Sequence, residues 1–208
     1  MRSFPLALAA SLISACSLMI PADPRKTAFD FGPLPASSID PVRRDYLVVV
    51  NEITAPAWMD NSSMYYRLMY QNAENPLPYR QSAWVSSPVA LVTTRLRAQL
   101  SPEMVRTDRQ TGADPVHPYV LRGELLEFEQ IFDLPGRSRG VLRLRANLGD
   151  GNTSAERTFT IEEPAPTPDA RGGVAALTRC SDELAREIVE WLVATEHDSR
   201  GDTLAKRP

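Results

Sequence analysis

The sequence predicts an α/β fold, a two-layer sandwich in which a mixed or mostly antiparallel sheet of five to six strands is packed by two helices. Two observations predict it. Strand-like segments occur in two groups, and each group is followed by a segment whose apolar residues recur every three or four positions. The composition agrees, because 43% of the residues are hydrophobic and 24% are charged, as in ordinary soluble domains.

Two strands are predicted before the first helix. Residues 46–53 (YLVVVNEI) form an apolar, β-branched run that is typical of a central strand. Residues 61–70 (NSSMYYRLMY) alternate more loosely, and Pro56 places a loop between the two segments, so we expect a hairpin-like pair. The first helix is predicted over Pro88–Leu100, with an apolar face formed by Val89, Val92, Leu96 and Leu100.

The best hairpin candidate joins residues 119–132 to residues 141–148 through the turn-forming stretch 134–138 (LPGRS). The expected register sets apolar residues opposite each other on one face and opposite charges on the other: Phe128–Leu144, Leu126–Ala146, Glu127–Arg145 and Glu129–Arg143. Exposed charge pairs contribute only about 0.2–1 kcal/mol each, so we interpret them as register-setting contacts and not as a site.

A further strand is predicted over residues 156–161 (ERTFTI), and the clearest helix over residues 169–195. The apolar stripe of this helix is formed by Val174, Leu177, Ser181, Leu184, Ile188 and Trp191. Cys180 flanks the stripe, and we interpret it as a small buried residue rather than a reactive thiol. Residues 196–208 are polar and lack periodicity, which predicts a disordered tail.

The amino terminus has the pattern of a secretory signal peptide over residues 1–15. Arg2 precedes an apolar run of about ten residues, which is too short to span a bilayer of about 30 Å as a helix. Residues 13–16 (ISAC) resemble the bacterial lipobox, in which the cysteine thiol is acylated and the chain is cut before it. Cys16 is therefore the predicted lipid attachment site.

Residues 16–27 are then a lipidated tether, and residues 28–195 form the folded domain. An ordinary cleaved signal with a nearby cysteine and a buried core helix are the alternatives, and the proline-bearing run 21–26 opposes the second. Acyl chains such as palmitate would hold the protein at a membrane without a spanning helix. Ser17 stands where aspartate signals inner-membrane retention in enteric bacteria, so we expect the periplasmic face of the outer membrane, with the inner membrane as the alternative.

Several function classes find no support in the sequence. The formal net charge of -3 opposes nucleic-acid binding. Two histidines, His117 and His197, offer little material for a metal site or a catalytic triad. No nucleophile elbow, phosphate loop or dinucleotide fingerprint occurs, and Arg171-Gly172-Gly173 is interpreted as a flexible helix entrance. We therefore predict no enzyme, cofactor or metal; a hydrolase whose site carries no motif is the alternative.

A group of aromatic residues falls within one short part of the chain: Trp58, Tyr65, Tyr66, Tyr70, Tyr79 and Trp84. The default interpretation is packing in the core and in the hairpin. Together with nearby arginines, these residues also have the composition of protein-interface hot spots. The candidate partner-contact residues are Trp58, Tyr66, Arg67, Tyr79 and Trp84.

An ordered set of short stretches resembles the ABC-type transport auxiliary lipoprotein family, which includes proteins like paraquat-inducible protein C that are associated with MCE systems. The stretches are residues 29–33 (FDFGP), 53–60 (ITAPAWMD), 64–67 (MYYR), 77–79 (LPY), 82–84 (SAW), 125–132 (LLEFEQIF), 138–140 (SRG), 144–148 (LRANL) and 172–177 (GGVAAL) with its continuation to Trp191. No single stretch is specific, but their order together with the lipobox is.

The resemblance implies a two-helix α/β domain with a non-enzymatic role. Its partners would be an ABC permease and ATPase and an MCE-domain protein, in a system that moves lipids between the inner and outer membranes. The resemblance implies no catalytic residue and no cofactor. Two other functions stay open, namely a lipid carrier that holds acyl chains in its own groove and a general envelope-assembly lipoprotein.

Overall fold

The computed structural model describes residues 26–34, 48–100, 119–149 and 154–205, so the predicted signal peptide and Cys16 lie outside the described residues. The strands are β1 (Thr27–Phe29), β2 (Val48–Thr54), β3 (Ser63–Leu68), β4 (Asn72–Trp84), β5 (Tyr119–Leu134), β6 (Arg137–Gly149) and β7 (Ser154–Pro164). The helices are α1 (Pro88–Leu100), between β4 and β5, and α2 (Ala170–Ala205), after β7.

The strands form one mixed sheet in the order β1-β4-β3-β5-β6-β7, and β2 also pairs with β5. The β1–β4, β2–β5 and β3–β5 pairs are parallel, and the β3–β4, β5–β6 and β6–β7 pairs are antiparallel. The predicted α/β class, mixed sheet and two helices are therefore confirmed. The predicted strand number is too small, because the described residues contribute seven strands rather than five or six.

Strands β1 and β4 account for the larger sheet. β4 contains Pro76 and Pro78, which lack the amide that a central strand needs, so its sequence gives a weak strand signal. The structure places these prolines near an edge, because β1 pairs only with Ser82–Trp84 at the end of β4. β1 has only three residues and begins at the end of the predicted tether.

The predicted hairpin-like pair of the first two strands is wrong. β2 pairs with β5 from Tyr119 to Glu124, and β3 pairs with β5 from Gln130 to Phe132, in the same direction. The two short strands therefore follow one another along a single edge of β5. The loop between them continues the chain along that edge without reversing it, and a hydrogen bond from the Met59 amide to the Pro56 carbonyl (2.9 Å) closes its turn.

The β5–β6 hairpin is present, with a register different from the predicted one. The observed pairs are Phe128–Leu142 and Glu127–Arg143, in place of Phe128–Leu144 and Glu127–Arg145. The connection is a two-residue turn at Pro135 and Gly136, tighter than the predicted loop. Gly136 has a φ of 80°, a conformation that glycine adopts without steric cost.

The other two predicted pairs of this hairpin are also wrong. Leu126 lies at an irregularity of the ladder between Leu125 and Glu127, so it does not face Ala146. Glu129 faces Val141 instead of Arg143 and is only 2% exposed. An extra residue in one strand shifts all later pairs, and its position cannot be read from alternation alone.

Helix α2 extends to Ala205, beyond the predicted end at Thr195. The buried stripe ends at Leu192, so the apolar periodicity stops before the helical backbone does. No proline interrupts residues 196–205, and an established helix adds residues at little cost. The predicted disordered tail is therefore wrong for residues 196–205, while residues 206–208 lie outside the described part.

Both helices contribute to one apolar core against the sheet. α1 buries the predicted face of Val89, Val92, Leu96 and Leu100, and α2 buries Leu177, Leu184, Ile188 and Trp191. Burial of each large apolar side chain contributes about 1.5–3 kcal/mol. These side chains fill the space between the layers. A concave surface lies outside the core, between β4 and the start of α2.

Candidate functional site

A groove of about 770 Å³ lies between the outer side of β4 and the first turn of α2. Its walls come from the ends of β1 and β3, from residues 78–82 of β4, and from residues 169–171. Since β1 pairs with β4 only from Ser82 onward, no strand among the described residues pairs with the outer edge of the preceding residues of β4. We call this concavity the β4–α2 groove.

Two tyrosines form the aromatic wall of the β4–α2 groove. The rings of Tyr66 on β3 and Tyr79 on β4 have centroids 4.6 Å apart and planes tilted by 45°. The Tyr79 hydroxyl donates a hydrogen bond to Oε1 of Gln130 at 2.8 Å, and Gln130 Nε2 donates to Ser138 Oγ at 2.8 Å. Burial raises the pKa of Tyr79, so its hydroxyl stays neutral and acts as a fixed donor.

The opposite wall is basic. The guanidinium groups of Arg80 and Arg171 are exposed and form no ion pair or side-chain hydrogen bond within the described part of the chain. Most other described arginines are paired, as in Arg157–Glu187 (3.6 Å) and Arg179–Glu163 (3.1 Å). Two free guanidinium groups in one groove favour a ligand with carboxylates or other anionic groups.

The acid in this wall, Asp169, caps the start of α2. Its Oδ1 accepts hydrogen bonds from the Gly172 amide at 2.8 Å and from the Thr167 hydroxyl at 2.7 Å. Both hydrogen bonds lower the pKa of the Asp169 carboxyl, and the one from the Gly172 amide has the larger effect. The carboxylate therefore serves the helix end, and its contact with Arg171 is a charge attraction without an ion pair or a side-chain hydrogen bond.

The glycines at the start of α2 are required by close packing. The prediction that Arg171-Gly172-Gly173 is a flexible helix entrance is therefore wrong. A Cβ on Gly172 would lie 1.9 Å from the Thr167 carbonyl oxygen. A Cβ on Gly173 would lie 2.2 Å from Gln130 Oε1, the atom that also accepts from Tyr79. The absence of side chains lets α2 approach the sheet and forms one end of the groove.

The structure separates the five candidate contact residues. Tyr66 and Tyr79 line the β4–α2 groove. Trp58 is 44% exposed on the loop between β2 and β3, where its ring packs edge-on against Tyr65 with centroids 5.3 Å apart. Trp84 is 3% exposed and belongs to the core, so its assignment to a contact surface is wrong. Its ring contacts Phe31 and Phe128 at centroid distances of 5.7 Å.

Arg67, the fifth candidate, is engaged inside the protein. Its guanidinium forms an ion pair with Glu129 at 2.8 Å and donates to the Ala73 carbonyl at 2.7 Å. The second oxygen of Glu129, Oε2, is buried and has no hydrogen-bond partner. Burial raises the pKa of Glu129, and the hydrogen bond from Arg67 opposes this shift. The pair ties β3 to β5 rather than offering a charge to a partner.

The other side chains that could take part in catalysis or metal binding are buried and unreactive, or they lie outside the described residues. Cys180 is fully buried, and burial raises the pKa of its thiol to about 12, which agrees with the predicted packing role. His117 lies outside the described part, and the side chain of His197 is not described. Across residues 26–34, 48–100, 119–149 and 154–205 there is no metal-binding group of three or more His, Cys, Asp or Glu side chains. None of the helices in these ranges has the length and apolarity to cross a bilayer.

Sequence comparison adds a family match. A family model described as "ABC-type transport auxiliary lipoprotein component" matches residues 29–189, which include α1, the buried stripe of α2 as far as Ile188, and the β4–α2 groove except Thr27. A search of curated proteins finds no match.

Two solved structures share the fold. A crystal structure of a Xanthomonas campestris protein assigned to the DUF330 family superimposes with a TM-score of 0.61 and 18% identity, covering 74% of this chain and 88% of that one. A crystal structure described as an uncharacterized protein gives a TM-score of 0.57 and 17% identity, covering 79% of this chain and 99% of that one. At these identities the similarity shows the fold alone.

Proposed function

The chain belongs to the family of ABC-type transport auxiliary lipoprotein components, and from this membership we propose that it is a lipid-anchored docking module for an ABC transport system. It acts without catalysis at the periplasmic face of the outer membrane. Its partner is the MCE-domain protein that works with the ABC permease and ATPase. The system moves lipids between the inner and outer membranes.

The β4–α2 groove carries the docking part of this proposal. It combines the Tyr66–Tyr79 ring pair with the free guanidinium groups of Arg80 and Arg171. Tyrosine and arginine are enriched at the energetic centres of protein interfaces, because each offers a large contact area and directional hydrogen bonds. The positive end of the α2 dipole adds to the attraction for anionic groups. An acidic segment of the partner fits this chemistry.

The same chemistry supports docking over lipid carriage. An acyl chain in the groove would lie against two guanidinium groups and the Asp169 carboxylate, which lose hydration without gaining a partner. An apolar concavity beside α1, lined by Leu34, Val85 and Leu91, measures about 310 Å³, at the lower limit of small-molecule sites. The docking role therefore fits the larger groove better than lipid storage does.

Charge reversal tests the docking site. Arg80→Glu and Arg171→Glu exchange the free cations of the groove for anions, and Arg122→Glu is the matched control because Arg122 is also exposed and unpaired in the described structure. Crosslinking in native membranes followed by affinity purification should recover permease, ATPase and MCE protein with the wild type and with Arg122→Glu. Recovery should fall at least several-fold with either groove variant.

Two results separate the parts of the proposal. If the wild type recovers no transporter subunit, the transport role is wrong. If all four proteins recover the subunits equally, the role stands and the groove is not the contact site. Thermal unfolding of each variant shows whether a lower recovery comes from lost folding.

Cys16 tests the anchor. Replacement by alanine removes the thiol that receives the lipid, so metabolic labelling with radioactive palmitate should disappear and the product should be soluble or uncleaved. Unchanged labelling of Cys16→Ala would refute the lipid attachment site. Separation of the two membranes on a sucrose gradient should place the wild-type protein with the outer membrane, and recovery with the inner membrane would correct the location.

A further inference from the structure

Exposed apolar side chains gather at the end of the sheet where β3 turns into β4 and β5 turns into β6. Met69 and Tyr70, in the first turn, are 44% and 40% exposed, and Leu134, at the end of β5, is 56% exposed. The two turns are neighbours, because Leu68 pairs with Phe132 and the Met69 amide donates to the Phe132 carbonyl at 2.9 Å.

Arg137 adds a positive charge to this end of the sheet. It faces Leu134 across the first pair of the β5–β6 hairpin. Its guanidinium is exposed and forms no ion pair or hydrogen bond in the described structure. We call Met69, Tyr70, Leu134 and Arg137 the hairpin-tip surface.

The chain that leads back to Cys16 leaves the sheet toward the hairpin-tip surface. β1 runs parallel to β4 with Thr27 beside Ser82, and β4 begins at Asn72, which pairs with Leu68 next to the tip. The direction from Phe29 back to Thr27 therefore points from the end of β4 toward its start.

The length of the intervening chain suits this direction. The ten residue steps from Lys26 back to Cys16 span at most about 33–36 Å. The strand from Ser82 back to Asn72 covers about 33 Å at the usual rise per residue. An extended chain of this length can therefore bring a lipid anchor at Cys16 to a bilayer that the hairpin-tip surface faces.

The side chains of the hairpin-tip surface have the chemistry of a membrane interface. Methionine and leucine can enter the boundary between acyl chains and headgroups, and tyrosine is enriched at that depth because it is apolar with a polar end. An unpaired arginine is attracted to anionic headgroups while its methylene groups stay in apolar surroundings. An exposed apolar surface on a protein held at a bilayer is best covered by that bilayer.

We propose that the hairpin-tip surface rests on the lipid surface in which Cys16 is anchored. Met69, Tyr70 and Leu134 lie at the boundary of the acyl chains, and Arg137 contacts anionic headgroups. The proposal depends on the lipid anchor of the proposed function and is independent of the β4–α2 groove. It fixes which end of the domain faces the membrane.

Depth-dependent quenching tests this orientation in the full mature lipoprotein. A thiol-reactive fluorophore is placed at Gln71→Cys, which lies in the exposed β3–β4 turn and leaves the four tip side chains intact. The control is Val85→Cys, which is 56% exposed just beyond the other end of β4. Leu134→Cys is a second tip position in case one variant fails to fold. The acylated proteins are reconstituted in vesicles of phosphatidylethanolamine and phosphatidylglycerol that contain brominated lipid.

Quenching should be several-fold stronger at positions 71 and 134 than at position 85. If the vesicles carry the protein in a flotation gradient but quenching is equal at the three positions, or strongest at position 85, the orientation is wrong while the anchor stands. If the mature protein does not float with the vesicles, the anchor fails, and this proposal fails with that part of the proposed function.

Discussion

Arg95 on α1 and Asp182 on α2 form a two-pronged ion pair that joins the helices. Arg95 Nε donates to Oδ1 at 2.7 Å and Nη2 donates to Oδ2 at 3.0 Å, while the third nitrogen, Nη1, donates to the carbonyls of Gly32 and Pro33 at 3.3 and 3.1 Å. The arginine is only 5% exposed. One side chain thus connects both helices with the segment that follows β1.

Replacement of Arg95 should destabilise the domain strongly. Arg95→Met leaves Asp182 with only the Gln99 amide as a donor (2.6 Å) and removes the donor of the Gly32 and Pro33 carbonyls. Because Asp182 is 30% exposed, the loss should cost about 3 kcal/mol, the lower end of the range for buried pairs. Arg95→Lys should be almost as unstable as Arg95→Met, because an ammonium group cannot form the planar two-pronged contact with Asp182. Urea denaturation measures both variants. Values within about 0.5 kcal/mol of the wild type, as expected for the exposed control Arg122→Met, would contradict the role of the pair.

The Arg95–Asp182 pair could not be predicted from the sequence, although the helix that carries Arg95 could. The periodicity of α1 predicted its boundaries and its apolar face, because those depend on neighbouring positions. It gave no sign of a buried charge between Val92 and Leu96, since the partner lies far along the chain on α2. Strand pairing has the same non-local origin, which is why the β5–β6 hairpin was predicted and the parallel pairing of β2 and β3 with β5 was not.

The candidate site was predictable to a similar extent. Tyr66 and Tyr79 came from a local concentration of aromatic residues, and the structure brings them together. Trp84 carried the same local signal but lies in the core, because its burial depends on contacts with Phe31 and Phe128, which are distant in the chain. Arg171 was not predicted, since only the tertiary fold brings the start of α2 beside β4.

Glu129 should make the stability of the domain fall as pH rises through mildly acidic values. Burial raises its pKa in the folded state above the ordinary value of about 4.3 that it has in the unfolded chain, so the folded state holds the proton more firmly. Its favourable contribution is complete below the unfolded pKa and is lost as pH rises through the folded pKa. Glu129→Gln keeps the size and one acceptor for Arg67 and removes this titration.

The measurement is the difference in unfolding free energy between the wild type and Glu129→Gln, taken by urea denaturation from pH 4 to pH 8. Relative to the variant, the wild type should lose stability as pH increases. Glu124→Gln, which removes an exposed carboxylate paired with Arg145, controls for the change in net charge. A difference that stays constant or grows in favour of the wild type with increasing pH would show that the Arg67 pair outweighs burial.

Gly140 should not tolerate a methyl group. It lies on β6 directly beneath α2, and a Cβ there would lie 2.9 Å from both the Ala176 Cβ and the Leu177 backbone nitrogen. Helix and strand would have to separate, so Gly140→Ala should cost about 1–3 kcal/mol. Gly123→Ala is the matched control on the neighbouring strand, because the closest contact of its Cβ would be a movable Leu144 methyl at 3.2 Å and its other contacts are at ordinary distances of 3.5 Å or more. Equal melting temperatures for the two variants would contradict this packing.

Cys180 should react with thiol reagents only when α2 leaves the sheet. Its Sγ lies 3.5 Å from the Gly140 carbonyl oxygen and 3.7 Å from that of Ile161, and its side chain is fully buried. Because the thiolate is the reactive form, a pKa raised to about 12 and the absence of access both suppress reaction at pH 8. Labelling should therefore be slower than at an exposed reference, Val85→Cys, by about 10³ or more, and should accelerate in urea in parallel with unfolding. Rapid labelling of the wild-type thiol in native buffer would mean that α2 separates readily from β6 and β7. Slow labelling also means that Cys180 does not compete for the fluorophore, so that with Cys16 acylated the introduced cysteine alone reports the position of the hairpin-tip surface.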